Sequence, residues 1–246
     1  MIIERPDELR RITQSKKWVL VYGRRKTGKT FLVERFVKHD EFFFVNRDRG
    51  IHSKSDGKTL AYDAFLAVLE RALADGKTAV VDEFQRLGDD FFDYLHRVEK
   101  RGKLILISST LRLSRSLLSG RSALLGLFTE VPVGLISMRD VLRALAKEGL
   151  GKKEMVEFAV VLREPLAIDY FDSSASPGEV LNNVVLGSIK TVPALVGEVL
   201  TEEERSISAV YEGVLRAIAS GKDKSGYISS HVFSNRLISK DDPSLV

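Results

Sequence analysis

The chain has 246 residues, of which 44% are hydrophobic and 29% charged, with a formal net charge of +4. That composition suits a globular chain with one large core, or a domain plus a smaller one. No apolar run approaches the eighteen or more residues of a membrane span, and Met1–Glu8 lacks the apolar stretch of a signal peptide, so the expectation is a cytoplasmic protein without a membrane partner. There is no cysteine, which excludes disulfides, thiolate zinc sites and a thiol nucleophile.

The four histidines, at 39, 52, 96 and 231, have no metal-ligand spacing. The positive charge is uneven. Residues 1–60 carry 15 Lys/Arg against 8 Asp/Glu, whereas residues 201–246 carry 6 against 7. A basic N-terminal quarter suits a bound anion there, and does not suit a nucleic-acid face at the C-terminal end.

In chain order, Glu4–Thr13 reads as a short amphipathic helix with Leu9 and Ile12 inward. Trp18–Tyr22 is a short, mostly apolar run with the look of a buried strand. It leads into Gly23-Arg24-Arg25-Lys26-Thr27-Gly28-Lys29-Thr30, which fits G-x-x-x-x-G-K-[ST]. Phe31–Val37 follows with apolar residues at helical spacing. Strand, glycine-bounded loop, helix is the context in which this pattern cradles phosphate. The glycines let successive N–H groups turn inward, and the helix N-terminus adds its partial positive charge. Lys29 reaches the β- and γ-phosphates and the Thr30 hydroxyl ligates Mg²⁺. Residues Gly23 to Phe31 are therefore the candidate nucleotide-binding segment.

Glu41–Val45 reads as a second strand, Asn46–Lys58 as a polar, mobile surface loop, and Leu60–Ala74 as a helix with Phe65, Leu66, Leu69 and Leu73 on one face. Thr78–Val81 is a third strand, ending in Asp82-Glu83. Phe91–Lys100 is a helix, and Leu104–Ile107 a fourth strand ending in Ser108-Ser109-Thr110. Leu111–Leu118 is a helix. Val131–Ile136 is a fifth strand, placed at an edge because Pro132 removes a ladder donor. Strands alternating with helices predict a parallel sheet with right-handed crossovers. From Met138 on, the pattern is helical over 138–148, 152–162, 177–189, 192–200 and 202–219.

Ligands of open α/β sheets bind at the carboxyl ends of the strands, where Asp82-Glu83 falls. Asp82 can hold Mg²⁺ there, and Glu83 can orient and deprotonate an attacking water. The competing reading is an acidic cap on the next helix. A Glu beside the metal Asp favours hydrolysis over transfer to a small-molecule acceptor. Ser109 stands at the tip of the fourth strand, able to hold the water or the γ-phosphate, or to cap a helix. Arg121 precedes the last strand and reads either as an arginine finger for a neighbouring copy or as a solvated helix-end cation.

The chain resembles the archaeal ATPase family, a branch of the AAA+/STAND-like P-loop ATPases. The resemblance lies in Glu4–Leu9, VYGRRKTGKT, VVDEFQRL (80–87), ISST (107–110), SGRSALLGLF (119–128), LREPLAIDYFD (162–172) and TVPALV (191–196). It implies an α/β P-loop NTPase core of the ASCE type, a five-stranded parallel sheet in the order 5-1-4-3-2, a helical lid and a winged helix. It also implies that the N-terminal segment borders the adenine site and that Pro193 lies near the nucleotide. The expected division is 1–136 ATPase core, 137–200 lid and 201–246 partial winged helix, whose recognition helix would have to follow Asp242. The expected function is an ATP-binding, Mg²⁺-dependent ATPase acting as a nucleotide-controlled switch. ATP and ADP are its ligands, a homo-oligomer is implied if Arg121 is a finger, and tight nucleic-acid binding is not expected. The alternative is an ATP-regulated DNA-binding protein with the winged helix as its output.

Overall fold

The computed structural model describes residues 1–109, 126–192, 194–195 and 208–243. The chain forms two compact units, Met1–Gly187 and Ser188–Val246. The first begins with α1 (Pro6–Gln14), β1 (Trp18–Tyr22), α2 (Lys29–Phe36) and β2 (Glu41–Val45). Then come β3 (Ile51–Ser53), β4 (Lys58–Leu60), α3 (Tyr62–Ala74), β5 (Thr78–Asp82), α4 (Asp89–Arg97), β6 (Lys103–Ser108) and β7 (Phe128–Pro132). Three helices follow, α5 (Met138–Leu145), α6 (Lys152–Leu162) and α7 (Pro177–Gly187), with a 3-10 turn at Pro165–Tyr170.

The strands make one seven-stranded sheet in the order β4-β3-β2-β5-β6-β1-β7. This corrects the expected five-stranded, all-parallel sheet: the sheet is mixed. β2, β5, β6, β1 and β7 pair in parallel, while β3 and β4 add antiparallel to the β2 edge. The segment expected to be a polar loop is thus largely a hairpin. Asn46–Gly50 closes a tight turn, with Asn46 N–H donating to the Gly50 carbonyl at 2.8 Å and Gly50 N–H to Asp48 Oδ1 at 3.0 Å. Ile51 and Ser53 then point inward, both almost fully buried. The added strands cover the β2 edge, which would otherwise present unpaired N–H and C=O groups.

Alternation along the buried strands feeds two cores. Leu20, Phe43, Val45, Val81, Leu104 and Leu106 face α3 and α4, packing on Phe65, Leu69, Leu73, Phe91 and Leu95. Val19, Val21, Phe42, Val80, Ile105, Ile107 and Val131 face the other way, onto Ile12, Leu32 and Val33 of α1 and α2. Each fully buried side chain of this size contributes about 1.5–3 kcal/mol, so the two-sided sheet is the main source of stability. Among the described residues β7 is an edge strand paired with β1 alone, and it starts three residues earlier than the sequence pattern indicates. Pro132 ends it. Val133 N–H still donates to the Tyr22 carbonyl at 2.8 Å, residues 134–136 then leave the sheet, and Ile136 N–H donates to the Arg163 carbonyl at 2.8 Å.

A third core, of Ile3, Ile136, Val141, Leu145, Phe158, Leu162 and Val180, joins the N-terminal segment to α5, α6 and α7. Ser137 caps α5, accepting from Asp140 N–H at 3.1 Å while its hydroxyl donates to the Asp140 carboxylate at 2.6 Å. The second unit holds α8 (Ser208–Ala219) and α9 (Ser225–Ser234) among its described residues. Ala217 and Val232 are buried there, and the Ser229 and Ser230 hydroxyls donate to the Asp241 carboxylate at 2.6 and 2.8 Å. Among the described residues no helix is long and apolar enough to cross a membrane.

Candidate functional site

The loop between β1 and α2 lies at the carboxyl end of the sheet. Its shape follows from its glycines. Gly28, at φ 82°, takes the left-handed turn just before Lys29, the first residue of α2. Gly23, at φ 152°, passes so close to β7 that an added Cβ would fall on the Val133 carbonyl oxygen. That oxygen belongs to backbone and cannot swing aside. Gly23→Ala is therefore expected to destabilise the fold by about 3 kcal/mol, from overpacking and left-handed strain together. Chemical unfolding of the variant checks this, and a change below about 0.5 kcal/mol would mean that β7 shifts freely.

Within the loop, Lys26 also takes a left-handed conformation, at φ 63°. Thr27 is buried and its hydroxyl donates to the Arg24 carbonyl at 2.9 Å. Lys29 is 6% exposed, and its ammonium donates to the Gly23 and Arg24 carbonyls at 2.9 and 2.8 Å. Burial pushes its pKa down to about 8, against the pull of Glu83 and Asp82, while Arg25 and Arg24 press it lower. A cation desolvated in this way gains more from a phosphate than one already in water.

Thr30 follows Lys29 on α2, and its hydroxyl donates to Asp82 Oδ2 at 2.7 Å. Asp82 ends β5 almost fully buried, and burial holds its carboxyl above the usual range despite the bond from Thr30. Two hard oxygen donors, one a carboxylate, fit Mg²⁺, which takes one or two carboxylates and completes its shell with water and phosphate oxygens. Among the described residues no cluster of three or more His, Asp or Glu gathers to hold a metal.

Glu83 leaves β5 in a left-handed turn at φ 56°. Its carboxylate accepts from the Ser109 hydroxyl at 3.0 and 3.2 Å, from Gln85 Nε2 at 2.7 Å and from the Arg86 guanidinium at 3.1 Å. Arg86 is itself held by the Val45 carbonyl at 2.5 Å and lies over the Phe44 ring. The sequence singles out Glu83 and Ser109, which the fold brings together. Gln85 and Arg86 are the partners it gives no role, because only the turn after β5 shows that they fold back onto Glu83.

An adjoining cavity of about 270 Å³ is lined mainly by Ile2, Ile3, Phe31, Leu32, Ile136 and Ile168, with Gly28 and Thr27 at its loop side. Phe31, half exposed, stands in its wall. Arg5, 4% exposed, ties the N-terminal segment to this corner by donating to the Thr27 carbonyl at 2.9 Å and the Gly134 carbonyl at 3.0 Å. Arg24 reaches the helical segment through Glu164 at 2.6 Å. Arg121 and Pro193 lie outside the described residues.

Solved structures of similar shape include a STAND protein with a tetratricopeptide repeat sensor from Pyrococcus horikoshii, at TM-score 0.50 and 17% identity, covering 86% of this chain and 37% of that one. The chain thus spans little more than a third of that relative. Weaker likenesses are Cdc6p from Pyrobaculum aerophilum (TM-score 0.41, 15% identity, 92% of this chain and 78% of that one) and the ORC1 protein of Aeropyrum pernix in complex with DNA (0.40, 16%, 95% and 78%). No curated protein sequence matches. At these identities the likeness is one of fold. The family is shown by sequence: residues 15–140, from just before β1 to the start of α5, match the model described as AAA domain, and the chain belongs to that family of P-loop ATPases.

Proposed function

We propose that the protein is an ATP-binding, Mg²⁺-dependent ATPase that works as a nucleotide-controlled switch. The observation that carries the reading is the 2.7 Å contact between Thr30 and Asp82 at the mouth of the phosphate loop, with Lys29 and Glu83 on either side. Lys29 and the loop N–H groups from Gly23 to Thr30 hold the phosphates. Thr30 and Asp82 would hold Mg²⁺, which would neutralise charge on the phosphate oxygens. Glu83 takes the proton of the attacking water, and Ser109 fixes the carboxylate that does so. The apolar cavity beside Phe31 receives the base. Residues 1–136 act as the ATPase core, 137–200 as a lid and 201–246 as part of a winged helix.

Phosphate release from ATP by purified protein, with and without Mg²⁺, tests the reading. Turnover that needs Mg²⁺ supports it, and ATP binding without any turnover would leave the site a sensor. Ser109→Ala is expected to lower turnover about tenfold, with ATP affinity within twofold of wild type, since the hydroxyl orients the base without touching the loop. Unchanged turnover would show that Gln85 and Arg86 suffice.

A finger from Arg121 of a second copy belongs to the same reading. Turnover per site should then rise with protein concentration. Mixing Arg121→Ala with Lys29→Ala protein should restore part of it, because one variant supplies a site and the other a guanidinium. Turnover independent of concentration would remove Arg121 from the site.

A further inference from the structure

Arg24 is the first variable residue of the phosphate loop, and Glu164 lies 140 residues further on, directly before the 3-10 turn at Pro165–Tyr170. Arg24 NH2 donates to Glu164 Oε2 at 2.6 Å, and both side chains are about one-third exposed. Glu164's other oxygen, Oε1, is buried and accepts no hydrogen bond from the described residues. The turn that begins after Glu164 also walls the apolar cavity through Pro165, Ile168 and Asp169. One short segment therefore touches the phosphate loop through Glu164 and the candidate base cavity through the next residues.

An ion pair this exposed is by itself a weak contact. Its position gives it a second significance. The guanidinium is carried by a loop built to gather phosphate, and phosphate accepts a guanidinium in the same two-pronged geometry as a carboxylate. A triphosphate brings several negative charges where Glu164 brings one. The two anions compete for Arg24.

We propose that Glu164 is a resident anion at the edge of the nucleotide site, competing with the polyphosphate for Arg24. It holds the guanidinium beside the loop and gives it up to the polyphosphate, so nucleotide entry unties the Pro165–Tyr170 turn from the loop. The proposal rests on the reading that the loop binds ATP. It makes the pair the element through which the helical segment senses whether phosphates are bound, since the pair has one partner with nucleotide and another without.

The test is the pair of variants Glu164→Gln and Arg24→Ala, each first shown to unfold like wild type. Glu164→Gln removes the competing charge and is expected to tighten ATP binding roughly three- to fivefold, the scale of an exposed ion pair. Adenosine, which has no phosphate, should bind it as it binds wild type. Arg24→Ala should weaken ATP binding, and adding Glu164→Gln to it should change nothing more. Amide exchange of residues 165–170 should rise when ATP is added to wild type, and should already be raised in Glu164→Gln without ATP. Unchanged or weaker ATP binding by Glu164→Gln, or an equal effect on adenosine, would overturn the proposal and leave Glu164 a structural contact. If wild type and Lys29→Ala bind ATP equally poorly, the loop assignment fails instead, and the two failures are thereby distinguished.

Discussion

Lys29→Ala should lower ATP affinity by roughly a hundredfold, about 2.7 kcal/mol, the scale of a charge-assisted hydrogen bond to phosphate. The ammonium is already withdrawn from water and held by the Gly23 and Arg24 carbonyls. Its pKa of about 8 shows that much of its hydration has been lost before any anion arrives. A phosphate then meets a poorly solvated cation, so little further desolvation offsets the attraction. The same fact predicts a mild effect on folding. Removing a buried charge relieves its desolvation, while two carbonyls lose a donor, and the net change in stability should stay near 1 kcal/mol. Nucleotide titration and chemical unfolding of the same preparation separate the two. A folded variant that binds ATP like wild type would remove the loop from the site.

Glu83→Gln should bind ATP at least as well as wild type and turn it over 10²–10³-fold more slowly, because an amide cannot take the proton of the attacking water. The substitution keeps the shape. In the wild type, Oε2 accepts from Gln85 and Arg86, and the Ser109 hydroxyl lies within reach of both oxygens. In the variant the amide oxygen can keep the Gln85 and Arg86 bonds while its NH₂ donates to Ser109. The surrounding turn should therefore survive, which makes this a cleaner test than truncation to Ala. Single-turnover phosphate release isolates the chemical step. Normal turnover in the variant would move the base to another residue.

Those donors also bear on how the base works. A carboxylate offers about four lone-pair sites, and among the described residues Oε1 accepts from Ser109 alone, so it keeps room for a water while Oε2 is held by Gln85 and Arg86. Arg86, pinned between the Val45 carbonyl and the Phe44 ring, fixes the Oε2 side of the carboxylate.

Much of this candidate site was legible in the sequence. The phosphate loop, Asp82-Glu83 and Phe31 rest on local rules. A strand, a glycine-bounded loop and a helix follow one another within twenty residues, and the strand tips of an α/β alternation share one end of the sheet by topology. The two-sided burial of β1, β5 and β6 followed from their continuous apolar runs. The hairpin of β3 and β4 was not legible, because three-residue strands such as Ile51-His52-Ser53 are too short for alternation to stand out among polar neighbours. Their pairing is decided by the open edge of β2, a feature of the assembled sheet. The same holds for Arg5 on Thr27, Arg24 on Glu164, and Gln85 and Arg86 on Glu83. A basic residue's sequence shows its charge and reach, but its partner is chosen by which backbone turn or distant segment folding brings within 3 Å. The local motif therefore determined which groups could meet a nucleotide, and the tertiary structure alone decided which of them are already held, and by whom.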